Sequence, residues 1–186
     1  MVKRLVFDVE TDGFLDVMTT IHCLAVADPD AGEEWFYHGA DVEQGVRQLE
    51  EADVLYAHNG IRFDYEAIRQ VFPWFNPKGQ EKDTLVYTRV LWPELREKDA
   101  TRLGFPGKLF GSHSLKAWGY RMKLHKGDFE GPWDTYTEAM GAYCVQDVCV
   151  TVALLKHIDK AALPQRSDEL EHAVQRIIYT QEQHGI

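Results

Sequence analysis

Apolar residues recur along this chain first with the short period of strands and later with the longer period of helices. Leu5, Val6 and Phe7 lead a strand over residues 3–9 that runs directly into acids. Residues 20–27 read as a second strand and 34–37 as a third, with Asp28-Pro29-Asp30-Ala31-Gly32 supplying turn chemistry between them. A helix is predicted over 41–51, with Asp41 as its N-cap and Val42, Val46 and Leu49 on one face. Residues 53–57 form a fourth strand, 63–72 a helix stopped by Pro73, and 73–79 a loop. Asp83-Thr84 opens a helix that reaches Leu91 and stops at Pro93, and 93–111 reads as irregular chain punctuated by Gly and Pro. A short helix over 114–119, a long one over 135–160 and a last one over 168–184, capped by Ser167 and ended by Gly185, complete the chain. No internal repeat or low-complexity tract interrupts it. Strands first and then mixed elements predict an α/β fold, a mixed sheet with a βββαβα core flanked by helices.

A length of 186 residues fits one compact domain, or one with a docked appendage, and 45% apolar residues support a real core. Cys23, Cys144 and Cys149 form no CxxC and no even framework, and each sits in an apolar run; buried free thiols in a reducing compartment are expected. The amino terminus has too short an apolar stretch for a signal peptide, and no run reaches the length of a membrane span, so a cytoplasmic protein without a membrane partner is expected. The net charge of −10 argues against nucleic acid as a partner. Its distribution reverses that argument. Residues 100–127 contain no Asp or Glu but hold Arg102, Lys108, Lys116, Arg121, Lys123 and Lys126, with His113 and His125. An acid-free basic segment on an acidic body can attract a polyanion locally, chiefly through Lys108, Lys116 and Arg121; a solvated loop offsetting acidic neighbours would look the same.

Four carboxylates lie in apolar sequence: Asp8 and Glu10 in Phe7-Asp8-Val9-Glu10-Thr11, Asp64 in Asn59-Gly60-Ile61-Arg62-Phe63-Asp64, and Asp147 in Tyr143-Cys144-Val145-Gln146-Asp147. A lone buried carboxylate costs several kcal/mol, and four together repel unless cations lie between them, as in a two-metal phosphodiester hydrolase. Asp8 and Glu10, two apart on a strand, project from one face and suit a hard divalent ion, although a water-facing strand edge shows the same alternation. Tyr143 and Asp147, four apart, share a helix face. Asp147 there needs a metal or a buried Arg, and Tyr143 is either a hydroxyl that orients water or a half-buried core residue. Asp64 either joins the acids or complements a helix dipole, and Asn59 is open to being a simple turn residue.

Taken in order, these three motifs resemble those of the DEDDy 3′–5′ exonuclease superfamily. The segment Phe110-Gly111-Ser112-His113-Ser114-Leu115-Lys116-Ala117-Trp118-Gly119-Tyr120-Arg121 is similar to one in family A DNA polymerases of T-odd phages, as are Asp83-Thr84-Leu85-Val86 and residues 143–155. The likeness covers nearly the whole chain and is thinnest over 72–108. It implies a ribonuclease H-like fold with a mixed five-stranded sheet. It also implies two Mg²⁺ or Mn²⁺ ions on Asp8, Glu10, Asp64 and Asp147, with Tyr143 orienting the water. Thr11, Phe14, Asn59 and Phe63 would surround the substrate end, Phe14 as an apolar wedge. The implied activity is removal of nucleoside 5′-monophosphates from single-stranded or frayed DNA 3′ ends, proofreading for a phage polymerase; in that case the locale is the host cytoplasm. A stand-alone exoribonuclease or a non-catalytic binding module of the same fold are the alternatives. Residues 1–165 would be the exonuclease domain and 166–186 a helix similar to the linker to a polymerase domain, in cis or in trans. Leu170, Val174, Ile177, Ile178 and Gln181 lie near one face of that helix, to be covered by a partner or packed on the domain itself.

Overall fold

The computed structural model describes residues 2–124 and 128–185, so His125 and Lys126 of the basic segment lie outside the described residues. Among the described residues, one mixed sheet holds strands β1 (Arg4–Thr11), β2 (Ile21–Asp28), β3 (Glu33–His38), β4 (Val54–Ala57) and β5 (Gln80–Asp83) in the order β3-β2-β1-β4-β5. The β1–β2 and β2–β3 pairs are antiparallel, and the β1–β4 and β4–β5 pairs are parallel. Helices α1 (Val42–Glu50), α2 (Asp64–Val71), α3 (Thr84–Leu91), α4 (Leu95–Ala100), α5 (Leu115–Met122), α6 (Glu138–Ala161) and α7 (Gln165–Gln183) surround it.

The period of β1 decides which helix meets which face. Leu5, Phe7 and Val9 point into a core shared with Val46 and Leu49 of α1 and Ile68 of α2. Val6 points the other way, into a core with Trp118 of α5 and Met140, Cys144, Val148 and Leu155 of α6. Asp8 and Glu10 follow Val6 at steps of two, so they face α6. On that side β2 presents only Cys23, Ala25 and Ala27, small residues that let α6 lie close. Gly141 tightens the approach, because a Cβ there would stand 2.8 Å from both the Phe36 ring and the Tyr136 hydroxyl. By length and composition α6, 24 residues long, is apolar enough to cross a membrane; half of its most apolar stretch is buried in this domain.

Several elements depart from the sequence pattern. β5 lies where the sequence pattern assigns no strand, between the 73–79 loop and the helix opening at Asp83-Thr84, because Gln-Glu-Lys-Asp has no β-branched or aromatic residue; it is an edge strand recruited by parallel pairing to β4. Within 93–111, α4 forms where an irregular loop was expected. Asp41 lies in a 3₁₀ turn and makes no side-chain capping bond. The last helix begins at Gln165 with Pro164 at its N-cap, so Ser167 lies inside it and the 165/166 boundary falls within the helix. The caps of α5 and α6 are side-chain caps: Ser114 Oγ accepts from Ala117 N–H, and Thr137 Oγ1 from Met140 N–H. Cys23 and Cys144 are buried free thiols, whereas Cys149 is only half-buried.

Candidate active site

The acids meet at the carboxyl end of β1, where parallel α/β sheets place their sites. Ligand atoms of Asp8, Glu10 and Cys144 lie within 4.8 Å of one another. The Cys144 thiol donates to the Asp8 carbonyl at 3.3 Å, fixing α6 against the strand one turn from Asp147. Asp64 opens α2, and its Oδ1 accepts from the Val9 N–H at 3.3 Å, between Asp8 and Glu10 in sequence. Burial pushes the Asp64 carboxyl up to about 7, with the carboxylates of Asp83 and Asp147 adding to the rise. Buried oxygen donors held close against their own repulsion suit Mg²⁺ or Mn²⁺, and a cation there removes the penalty. The residues present therefore fit divalent ions.

Beside the acids opens a largely apolar cleft of about 340 Å³, lined by Glu10, Thr11, Gly13, Phe14, Phe63 and Trp133. Phe14 is 79% exposed at the mouth of this cleft. Its loop is tied by Asp12, whose carboxylate accepts from Thr19 N–H, Thr20 N–H and the Thr19 hydroxyl. Thr11 Oγ1 donates to the Gly13 carbonyl at 2.7 Å and so shapes the turn to Phe14. Trp133 was not anticipated. The pairing of β1 with β2 steps from Glu10–Cys23 to Thr11–Ile21, which leaves His22 as a bulge. His22 Nε2 donates to the Trp133 carbonyl at 3.0 Å, so the bulge anchors the loop that carries the tryptophan. Phe129 then links Trp133 to Tyr143, with ring centroids 4.8 and 5.9 Å away. A lone tryptophan in a Gly-Pro loop shortly before Tyr143 is the signal that could have found it.

The other expected residues divide. Asn59 stands in a left-handed turn with φ 67°, which gives its backbone the turn role. Lys108 is exposed, while Lys116 pairs with Asp128 just beyond the acid-free stretch. Arg121 is a correction. Its Nε and Nη2 donate to Asp99 at 3.0 and 2.7 Å, its guanidinium lies 4.8 Å from the Trp118 ring centre, and it is buried. The acid that claims it is one residue upstream of the acid-free stretch. Arg121→Ala should therefore cost about 3–5 kcal/mol of stability, the loss typical of breaking a buried pair. In salt titrations of single-strand binding, Lys108→Ala should make the log–log slope shallower by about 0.7, the share of one phosphate contact. An unchanged slope would remove Lys108 from the interface.

No protein-family model matches the chain. Over 88% of its length it is 31% identical to the DNA-directed DNA polymerase of Enterobacteria phage T3, and it covers 28% of that protein. To the DNA-directed DNA polymerase of Escherichia phage T7 it is 30% identical, with the same 88% and 28% coverage. The chain thus spans under a third of the length of these relatives. Brucella melitensis NrnC with bound Mg²⁺ superposes with a TM-score of 0.63 at 15% identity, over 98% of this chain and 84% of that one. Escherichia coli Exonuclease I in complex with a dT13 oligonucleotide gives a TM-score of 0.57 at 15% identity, over 85% and 41%. The fold is the ribonuclease H-like one of the DEDD exonucleases, a mixed five-stranded sheet flanked by helices. In sequence the chain is similar to part of the T3 and T7 DNA polymerases.

The Asp64 environment sets a pH dependence. A carboxyl whose folded value is raised holds its proton more tightly when folded; that stability is complete below about pH 4 and lost as pH rises through about 7. Burial raises Asp83 in the same direction. Metal-free protein should therefore lose stability from pH 4 to 7, where ionised carboxylates begin to favour a cation. Thermal melts with Mn²⁺ against EDTA should diverge with rising pH, by about 2.7 kcal/mol at a hundredfold excess over Kd. Coincident melts at pH 8 would count against a metal site.

Proposed function

We infer that this domain is a divalent-metal-dependent 3′–5′ exonuclease that releases nucleoside 5′-monophosphates from DNA 3′ ends, as the proofreading unit of a phage-type family A polymerase. One observation carries the reading: Glu10 belongs both to the acid cluster and to the wall of the apolar cleft. A base seated between Phe14 and Trp133 would bring its own 5′ phosphodiester to the acids. Asp8, Glu10, Asp64 and Asp147 would hold two Mg²⁺ or Mn²⁺ ions, which when bound supply Lewis acidity at the scissile phosphate. The Tyr143 hydroxyl, one helical turn before Asp147, would align the attacking water. Phe63 also lines the cleft. A mispaired end frays more readily than a paired one, so a cleft for an unstacked base favours editing.

Phe14→Ala and Trp133→Ala should each weaken single-strand binding by about 1–3 kcal/mol, the value of stacking one base, while metal affinity stays native. Fluorescence titration with oligo-dT reads both, and unaltered binding in either variant would take that ring out of the site. Matched DNA and RNA oligonucleotides separate the proofreading reading from an exoribonuclease. The partner is proposed to be a polymerase domain, in cis or in trans, as the names and length of the T3 and T7 relatives suggest. Residues 166–186 are its proposed linker. Their helix packs on the domain through His172 and Gln175, yet leaves Leu170 and Ile177 each 59% exposed, with Val174 and Ile178 beside them.

A further inference from the structure

Asp83 is a buried carboxylate outside the proposed ligand set, and besides capping α3 it holds one loop. Its Oδ1 accepts from Asn59 N–H and Leu85 N–H, both at 2.8 Å, and its Oδ2 from Ile61 N–H at 3.2 Å. That loop is the one that delivers Asp64. It has little freedom of its own, since a Cβ at Gly60 would stand 2.6 Å from the Ala57 Cβ. Asp83 is gripped in turn by the last helix. Its N–H donates to His172 Nε2 at 2.9 Å, so the ring proton lies on Nδ1, which donates to the Asp168 carbonyl at 2.9 Å. Asp168 also pairs with Lys82, the neighbour of Asp83, at 2.9 Å. Farther along the same helix, Glu182 pairs with Arg62 of the loop itself.

We propose that Asp83 and His172 are positioning residues for Asp64, through which the carboxy-terminal helix sets the geometry of the acid site. The inference rests on the exonuclease reading for its meaning, but its physical core is testable without activity. His172→Ala removes the acceptor for the Asp83 N–H. Amide exchange at Asn59 and Ile61 should then quicken at least about tenfold, while Leu24 and Val26 in the sheet keep native rates. The Mn²⁺ dissociation constant should rise several-fold and kcat fall about tenfold, with the KM for single-stranded DNA unchanged. His172→Gln, whose amide oxygen can take the same N–H, should restore all three. If His172→Ala does not fold, His172→Asn, too short to reach the Asp83 N–H, replaces it against His172→Gln. Native exchange at Asn59 and Ile61 in the Ala or Asn variant would overturn the proposal. So would faster exchange with native metal affinity and kcat, because the contact would then be structural only. If the native protein neither binds Mn²⁺ nor degrades DNA, the exonuclease reading fails, while the exchange rates still decide whether helix and loop are coupled.

Discussion

Replacing Asp147 by asparagine is expected to abolish stabilisation by metal and to lower cleavage by at least about 10³-fold, the equivalent of several kcal/mol of transition-state charge stabilisation. Asp147 is buried on α6 and is one of the two carboxylates that raise Asp64. Its removal has a second, opposite consequence. Without that neighbour one contribution to the Asp64 rise is gone, although burial, the larger cause, remains, and somewhat less stability is lost as pH rises. Metal-free Asp147→Asn should therefore melt higher than the metal-free native protein at pH 8, though it no longer responds to Mn²⁺. Differential scanning calorimetry with and without EDTA reads both effects. A variant that still gains stability from Mn²⁺ would show that the ion is held without Asp147.

Tyr143→Phe should fail in a different way. The ring packs against Phe129 and the helix is anchored at Cys144, so folding and metal binding should persist. Single-turnover cleavage of single-stranded DNA should fall by about 10²–10³, as for loss of one positioned hydrogen bond. The phenol is poorly suited to act as the base, since its reference value near 10 lies far from neutrality while water on a divalent ion ionises more easily. Full single-turnover activity in Tyr143→Phe would make the residue part of the core, and another group would have to orient the water.

The legible parts of this molecule are those where burial and period act together. The strand that carries Asp8 and Glu10 announces itself by its apolar lead, and period two alone places both acids opposite α6. Tyr143 and Asp147 follow from helical spacing. The five-stranded sheet was legible only through resemblance, because β5 is polar and owes its existence to pairing with β4. Arg121 was misassigned because a run of basic residues shows charge but not partners, and Asp99 sits just upstream of the run. Trp133 reaches the cleft through a bulge at His22 more than a hundred residues earlier in the chain, and nothing local encodes that contact. Asp83 looks like an ordinary N-cap, a role it does fill for Leu85. Its hold on the Asp64 loop emerges only when three separate segments are assembled.

The most direct test is a 5′-end-labelled single-stranded DNA incubated with the native protein in Mg²⁺ and in EDTA, with the products resolved by length and the released nucleotides identified. The account predicts a Mg²⁺-dependent ladder shortening one residue at a time from the 3′ end, with nucleoside 5′-monophosphates as the only small product. Cleavage that persists in EDTA, internal cuts, or intact DNA in Mg²⁺ would contradict it.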